Sequence, residues 1–435
     1  MEPDKKNPKL VVIGGGFAGI ELIKRLRNAP LDITLIDKHN YHTFQPLLYQ
    51  VASGGLGADA IGYPFRLIFR NQKNFKFRMA EVESIDAATQ CVNTSIGPIT
   101  YDYLVIATGS ITNYYGMKEI EKWSMPMKSI PDALDLRSDL LQEFEFAHNT
   151  KNALERERHM TFVVVGGGPT GVETAGALAE FKKFVLPHDY PELNPDLMKV
   201  YLIEAGVNLL SGMRSKSALK AKQYLEKFGV NVLLNTSVKD YDGRTVFLND
   251  DTQIASSTVI WSAGVKGQLI RGISATSVLG GRYKVDVFNK VEDYENIFSI
   301  GDVAIMATTE NPRGHAMVAP VAVQQATNLA KNIKSILKGN QLKPFKYNDR
   351  GAMATVGRNK AVVDLPAISF GGFMAWLVWM FLHLMLLVGF RNRVVVFVDW
   401  MWNYFSYERA LRLIVRTFDA EDAAREKAAA MTEVK

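Results

Sequence analysis

The stretch FVVVGGGPTGVET, residues 162–174, carries a run of β-branched residues into three glycines and then into helix-forming residues. LVVIGGGFAGIEL, residues 10–22, makes the same passage near the start of the chain. In the earlier copy the strand-like run KLVVI is followed by Gly14, Gly16 and Gly19 in GxGxxG spacing, then by IELIKRLRNA. The first glycine permits a tight turn, the second lets a pyrophosphate approach the backbone, and the third lets helix and strand pack closely. Free N–H groups at the helix start then face the phosphates. A second strand, DITLID, ends on Asp37, where a carboxylate can accept hydrogen bonds from a ribose diol. A lone GxGxxG is a weak signal, but here strand, turn, helix and acid stand in order.

Gly166, Gly168 and Gly171 repeat the spacing after HMTFVVV, and GVETAGALAEFKKF follows as the helix. The next acid at a strand end is Glu204. It comes later than in the first copy because of the insert PHDYPELNPDL, whose prolines mark a loop. Glu204 favours NAD over NADP, since a carboxylate there repels a 2′-phosphate and no Arg follows until Arg214. Two filled loops mean two dinucleotides, and a chain that holds two can move electrons between them.

The bulk numbers narrow the alternatives. A chain of 435 residues implies two or three domains, and 47% hydrophobic with 22% charged residues is globular composition. A net charge of +6 is mild, and with no nucleic-acid-binding module the sequence excludes that class of partner. Cys91 is the single cysteine, so no disulfide or CxxC redox pair can form within the chain. The seven histidines show no metal-site spacing, so no metal is expected. The polar start MEPDKKNPK carries no secretory signal.

These residues resemble the two-dinucleotide-binding flavoprotein superfamily and, within it, the type II NADH dehydrogenases. YDYLVIATGS (101–110, with Gly109), VIWSAGV (259–265, with Gly264) and NIFSIGDVA (296–304, with Gly301 and Asp302) are similar to the superfamily's later cofactor segments. NYHTFQPLLYQVASG (40–54), APVAVQQATNLAKNI (319–333) and WLVWMFLHLMLLVGFRNR (376–393) are closer to the dehydrogenases. The resemblance implies FAD on Gly14, Gly16, Gly19, Asp37, Gly109, Gly301 and Asp302. It implies NADH on Gly166, Gly168, Gly171, Glu204 and Gly264, and a quinone as electron acceptor. It gives Glu173 a role beside the reacting rings or in proton delivery, against a plain helix-dipole role in the first helical turn. Against the family's AQxAxQ quinone signature this chain reads APVAVQ, so Gln324 carries over and Pro320 does not. Sulfide:quinone oxidoreductases and disulfide reductases of the superfamily need cysteines that this chain lacks.

Residues 367–390 carry no formal charge over a length that could cross a bilayer, yet Gly371, Gly372 and His383 interrupt them, and both a span and a protein-covered helix remain open. Beyond them Asn392, Asp399, Asn403 and Ser406 form a narrow polar stripe on an apolar helix. Arg409, Arg412 and Arg416 share a face opposite Leu411, Ile414, Val415 and Phe418, a basic amphipathic pattern suited to anionic headgroups. With the family's monotopic habit, 366–418 is expected to anchor the protein in one leaflet, peripheral on the cytoplasmic side of the cell membrane. A homodimer seam is the competing use of this apolar surface.

The sequence therefore predicts an α/β fold of two Rossmann-like domains with a C-terminal helical membrane-anchoring segment. Residues 1–113 and 270–365 form the FAD domain, 114–269 the NADH domain, 366–418 the anchor and 419–435 a polar tail. The predicted activity is electron transfer from NADH through FAD to a membrane quinone, without proton pumping. A reductase of a soluble protein acceptor and a membrane-tethered nucleotide sensor are the alternatives.

Overall fold

Each glycine turn leaves the middle strand of its own five-stranded parallel sheet. The structure, a computed structural model, describes residues 7–309, 311–406, 412–414, 417–419 and 421–423. It divides into two compact units, one of residues 1–43, 63–111 and 265–349, the other of 44–62, 112–264 and 350–435.

In the first unit the strand Lys9–Ile13 pairs with Asp32–Asp37 on one side and Tyr103–Ile106 on the other. Phe75–Met79 and Ile297–Ser299 complete the edges. Both faces are covered, so the strand reads as an unbroken apolar run rather than an alternation. Leu10 and Val12 join one buried cluster, while Val11 and Ile13 join another. The register sets Ile13 beside both Ile36 and Ile106. The glycine turn, the acid and the 107–110 segment therefore all leave the same end of the sheet, the carboxyl end where ligands of this architecture bind.

The second unit repeats the plan with Thr161–Val165 in the middle, between Lys199–Glu204 and Thr258–Trp261. All five residues of the middle strand are buried. Val165 stands beside Ile203 and Trp261, so the second turn, Glu204 and the 262–264 segment again share one end.

The expected boundary at 365 moves. Residues 350–365 pack in the second unit, because Ala361–Asp364 pairs antiparallel with Ala352–Thr355 on one side and with Ser369–Gly371 on the other. The helix Pro169–Phe184 rests on this small sheet, and a Cβ at Gly176 would stand 3.1 Å from the Gly357 nitrogen. Residues 44–62 also fall in the second unit, where the C-terminal helices cover them.

Those helices answer the question of the uncharged run. Gly372 (φ +92°) and Gly389 (φ +87°) punctuate it into Phe373–Leu386 and Phe390–Ser406. At 1.5 Å per residue the first is about 21 Å long, short of the roughly 30 Å hydrocarbon core. No helix among the described residues is long and apolar enough to cross a membrane. Two residues of the polar stripe of the second helix, Asn392 and Asn403, face protein. Asn392 Nδ2 donates to the carbonyls of Asp59, Ala60 and Gly62 at 3.1, 3.0 and 3.2 Å, and Asn403 Nδ2 donates to that of Gly55 at 2.9 Å. Trp400 Nε1 donates to Gln50 Oε1 at 2.7 Å. The opposite face leaves Phe390, Val394, Phe397, Met401 and Phe405 exposed, at spacings of three and four. Arg409 and Arg416 lie outside the described residues; Arg412 is described, is not helical, and pairs with Asp189.

Asn392→Leu keeps the volume and removes the donor, leaving buried carbonyls unpaired. It is expected to destabilise the protein by about 2 kcal/mol. Val394→Leu, on the exposed face, should stay within about 0.5 kcal/mol. Thermal unfolding of the two variants in the same detergent checks the contrast.

Candidate functional site

The first cradle is built from close contacts that only glycine allows. Gly14 has φ +100°, and a Cβ there would stand 2.4 Å from the Ala107 oxygen; at Gly19 it would stand 2.0 Å from the Gly14 oxygen. At Gly16 nothing lies within 4 Å, so the middle glycine faces open space. The helix Phe17–Arg25 starts there with no side-chain cap, which leaves its first N–H groups to an external acceptor.

Asp37 closes the loop from the neighbouring strand. Its Oδ2 accepts from the Gly15 N–H at 2.7 Å and its Oδ1 from the His39 N–H at 2.8 Å. Burial holds this carboxyl above the usual carboxylate range despite those hydrogen bonds. A carboxylate has capacity for about four acceptor bonds, so room remains for a ribose hydroxyl. His42, one of the seven histidines without metal-site spacing, donates from Nδ1 to the Gly15 carbonyl at 3.1 Å and meets the Phe17 ring edge-on at 5.1 Å. Burial drives its pKa down to about 4, so it stays neutral as a brace of the loop.

The later segments of the first unit are tied to one another. Ser110 Oγ donates to Asp302 Oδ2 at 2.6 Å, and Thr108 Oγ1 donates to the Gln268 carbonyl at 2.6 Å. Gly109 (φ +74°) has nothing within 4 Å of a would-be Cβ, and Gly301 has φ +78°. Arg282, for which the sequence carried no signal, donates from Nε to the Asp302 carbonyl at 3.0 Å and from Nη1 to that of His315 at 3.2 Å. Gln325, fully buried, accepts the Gly301 N–H at 2.8 Å. Its neighbour Gln324 is engaged at both ends by Asn348, donating to its carbonyl at 2.9 Å and accepting its N–H at 3.0 Å. Pro320 sits in the first turn of the helix Ala319–Ile336, a position that tolerates a residue without an N–H.

The second cradle repeats the first. Gly166 has φ +106° and a Cβ there would stand 2.6 Å from backbone atoms of Ser262 and Ala263; at Gly171 it would stand 1.8 Å from the Gly166 oxygen. Gly168 again faces open space and starts an uncapped helix. Glu204 takes Asp37's part: Oε2 accepts from the Gly167 N–H and Oε1 from the Gly206 N–H, both at 2.6 Å. Gly264 lies against Tyr115, whose hydroxyl donates to the Ala263 carbonyl at 3.1 Å and would stand 2.2 Å from a Cβ at 264. The observations that would fail if these turns served only to reverse the chain are the same in both: a helix start without a cap, and a middle glycine with no protein neighbour.

Glu173 is placed differently from its expected first-turn position. The helix begins at Pro169, so Glu173 is its fifth residue and sits in the second turn, where a dipole role fades. It is buried, and burial raises its pKa to about 8; the Thr355 N–H at 3.3 Å and the Trp379 indole pull the other way. The Trp379 Nε1, though close, makes no well-formed hydrogen bond. Glu173 therefore holds a proton at neutral pH.

Thr355 and Trp379 also line a cavity of about 110 Å³ in the same unit, with Tyr49, Gln50, Ala177 and Trp400 among its walls. Gln50 is fixed there, donating to Tyr49 Oη at 2.8 Å while it accepts from Trp400. His383 stacks on Trp379 with centroids 4.0 Å apart, and burial lowers its pKa to about 4. The arrangement is an aromatic chamber with Glu180, Arg358 and Asn403 also in its lining, and two of its wall residues, Thr355 and Trp379, stand against a protonated carboxyl.

Residues 8–326 match the family model described as pyridine nucleotide-disulphide oxidoreductase, and residues 350–406 match the NDH2 C-terminal domain. Among relatives, the type II NADH:quinone oxidoreductase NdhA of Mycobacterium tuberculosis is 39% identical over 92% of this chain and 88% of its own length. The internal alternative NAD(P)H-ubiquinone oxidoreductase A1 of Arabidopsis thaliana mitochondria is 28% identical over 93% and 86%. Among solved structures, NDH2 from Plasmodium falciparum in complex with NADH superposes with a TM-score of 0.86 over 94% of this chain and all of that one, at 22% identity. The sulfide:quinone oxidoreductase of Aquifex aeolicus gives 0.70 at 23% identity over 92% and 95%.

Proposed function

The chain belongs to the pyridine nucleotide-disulphide oxidoreductase family as a type II NADH dehydrogenase, and from that premise we propose that it oxidises NADH and reduces a membrane quinone through FAD. The observation that carries the reading is the pair of cradles, each with a positive-φ first glycine, an open middle glycine and an acid holding the loop. The residues fit the two groups: uncapped helix starts for pyrophosphates, and Asp37 and Glu204 for the adenosine riboses. FAD, when bound, supplies an acceptor for a hydride and a donor for a quinone.

What the chain's own residues do follows from their placement. Gly14, Gly16, Gly19, Gly109, Gly301, Asp37 and Asp302 bind and orient FAD, with Gln325, Arg282 and His42 keeping that framework in place. Gly166, Gly168, Gly171, Glu204 and Gly264 do the same for NADH. Glu173 holds a proton in a dry setting, and quinone reduction consumes protons as well as electrons. The aromatic chamber beside it is the quinone's place of entry. Gln324, spent on Asn348, serves the quinone only if that pairing opens.

The exposed faces of Phe373–Leu386 and Phe390–Ser406 lie in one leaflet, with Asn392 and Asn403 turned to protein and Phe390, Phe397, Trp402 and Phe405 turned to lipid. The protein sits on the cytoplasmic side, where NADH is supplied. A homodimer would have to bury part of the same apolar surface.

Rapid mixing of the purified yellow protein with NADH under anaerobic conditions should bleach the flavin band, and a short-chain quinone should restore it. A soluble protein acceptor that restores the colour faster than any quinone would favour the competing reductase reading.

A further inference from the structure

Residues 66–78, RLIFRNQKNFKFR, hold five cations and no acid. They fold in the first unit into a helical turn and the edge strand Phe75–Met79, which pairs with its sheet on one side only. Between turn and strand lies a groove of about 300 Å³ lined by Arg66, Arg70, Lys76 and Arg78 together with Phe69 and Phe77. All four cations are exposed, and none forms an ion pair among the described residues. The groove has a firm floor: Phe77 is buried beside Phe65 at 5.2 Å, and the Arg66 guanidinium lies 5.3 Å over its ring.

Cations on an edge strand can serve only to stop edge-to-edge pairing. That accounts for Lys76 and Arg78. It leaves Arg66, in the helical turn Phe65–Ile68, and Arg70, just past its end, whose like charges face the same groove. Four uncompensated cations around one concavity call for an anion. The groove is flanked by Leu67, 50% exposed, and Met79, 60% exposed, so apolar side chains stand beside the charges. A free phosphate or a soluble acidic protein needs no such pairing of charge and apolar surface; a bilayer interface offers both.

We propose that this groove binds the headgroups of anionic phospholipids, giving the first unit its own electrostatic hold on the membrane. The inference rests on the reading of a membrane enzyme, and its test separates the two. The full-length protein is floated with phosphatidylcholine vesicles with and without phosphatidylglycerol. Binding to pure phosphatidylcholine reports the apolar helices, and its absence in the native protein would remove the membrane reading. The gain on adding phosphatidylglycerol reports the groove together with the arginines of the C-terminal segment, and substitutions confined to the groove separate the two.

Each cation near an anionic surface contributes about fivefold in binding, so the gain should be on the order of tenfold or more and should shrink with salt. The variant Arg66→Gln/Arg70→Gln/Lys76→Gln/Arg78→Gln should lose most of the gain, the remainder coming from the C-terminal arginines, while keeping phosphatidylcholine binding and NADH-dependent flavin bleaching. Arg66→Lys/Arg70→Lys/Arg78→Lys should retain it. The proposal is overturned if the four glutamines leave the gain intact. It is also overturned if inorganic phosphate abolishes the gain at constant ionic strength, since the groove would then be a free-phosphate site.

Discussion

Glu173→Gln is expected to slow quinone reduction by roughly 10²-fold while leaving NADH-dependent bleaching of the flavin within about twofold. The glutamine fills the same space and accepts the Thr355 N–H, but it has no proton to give. The pH profile carries the sign. A carboxyl raised to about 8 is protonated below that pH and ionised above it, so turnover with quinone should fall as pH rises through about 8 in the native protein and run flat in the variant. Stability moves in the matching direction. Between the ordinary glutamate value of 4.5 and about 8 the folded chain binds a proton that the unfolded chain has released. The native protein therefore loses stability steadily over that window, and the glutamine variant does not. Its advantage should grow to a few kcal/mol by pH 9 and vanish near pH 4.5. Unchanged quinone turnover together with that stability trend would assign Glu173 a packing role alone.

The parts of this picture legible in sequence are those fixed by backbone geometry. Gly14 and Gly166 could be read because a positive φ and a backbone neighbour at 2.4 to 2.6 Å exclude other residues, and the unbroken apolar strands because both sheet faces are covered. Glu204 was found despite its distance, since PHDYPELNPDL could be recognised as an insert; it folds as the short turns Leu186–Asp189 and Pro195–Leu197. What depended on partners far along the chain was hidden. The stripe of Asn392 and Asn403 could be seen but its direction could not, because its acceptors are carbonyls some 330 to 350 residues away. Residues 350–365 moved to the second unit because their sheet extends to 369–371 and supports the helix Pro169–Phe184, a contact without local signature. Gln325 acts through a long-range hydrogen bond to the Gly301 N–H and Arg282 through several to backbone carbonyls, and no periodicity announces either.

The two cradles can be separated by substitutions that the protein itself should tolerate. Gly16 and Gly168 have φ −70° and extended ψ values, a conformation any residue adopts, and neither has protein within 4 Å of a would-be Cβ. Valine at either position should therefore fold normally, and its branched side chain fills only the space that a pyrophosphate needs. Gly16→Val should purify with little flavin, whereas Gly168→Val should remain yellow and lose its response to NADH. A misplacement of about 1 Å already costs on the order of 10²-fold in rate, so kcat/KM for NADH in Gly168→Val should fall by at least that factor. The contrasting pair Gly14→Val and Gly166→Val would meet backbone at 2.4 and 2.6 Å and lower the unfolding temperature as well. Equal loss of flavin from Gly16→Val and Gly168→Val would mean that the two turns do not hold separate cofactors. An unaltered NADH response in Gly168→Val would mean that the second turn holds none, and electron transfer between two bound dinucleotides would then have no structural basis in this chain.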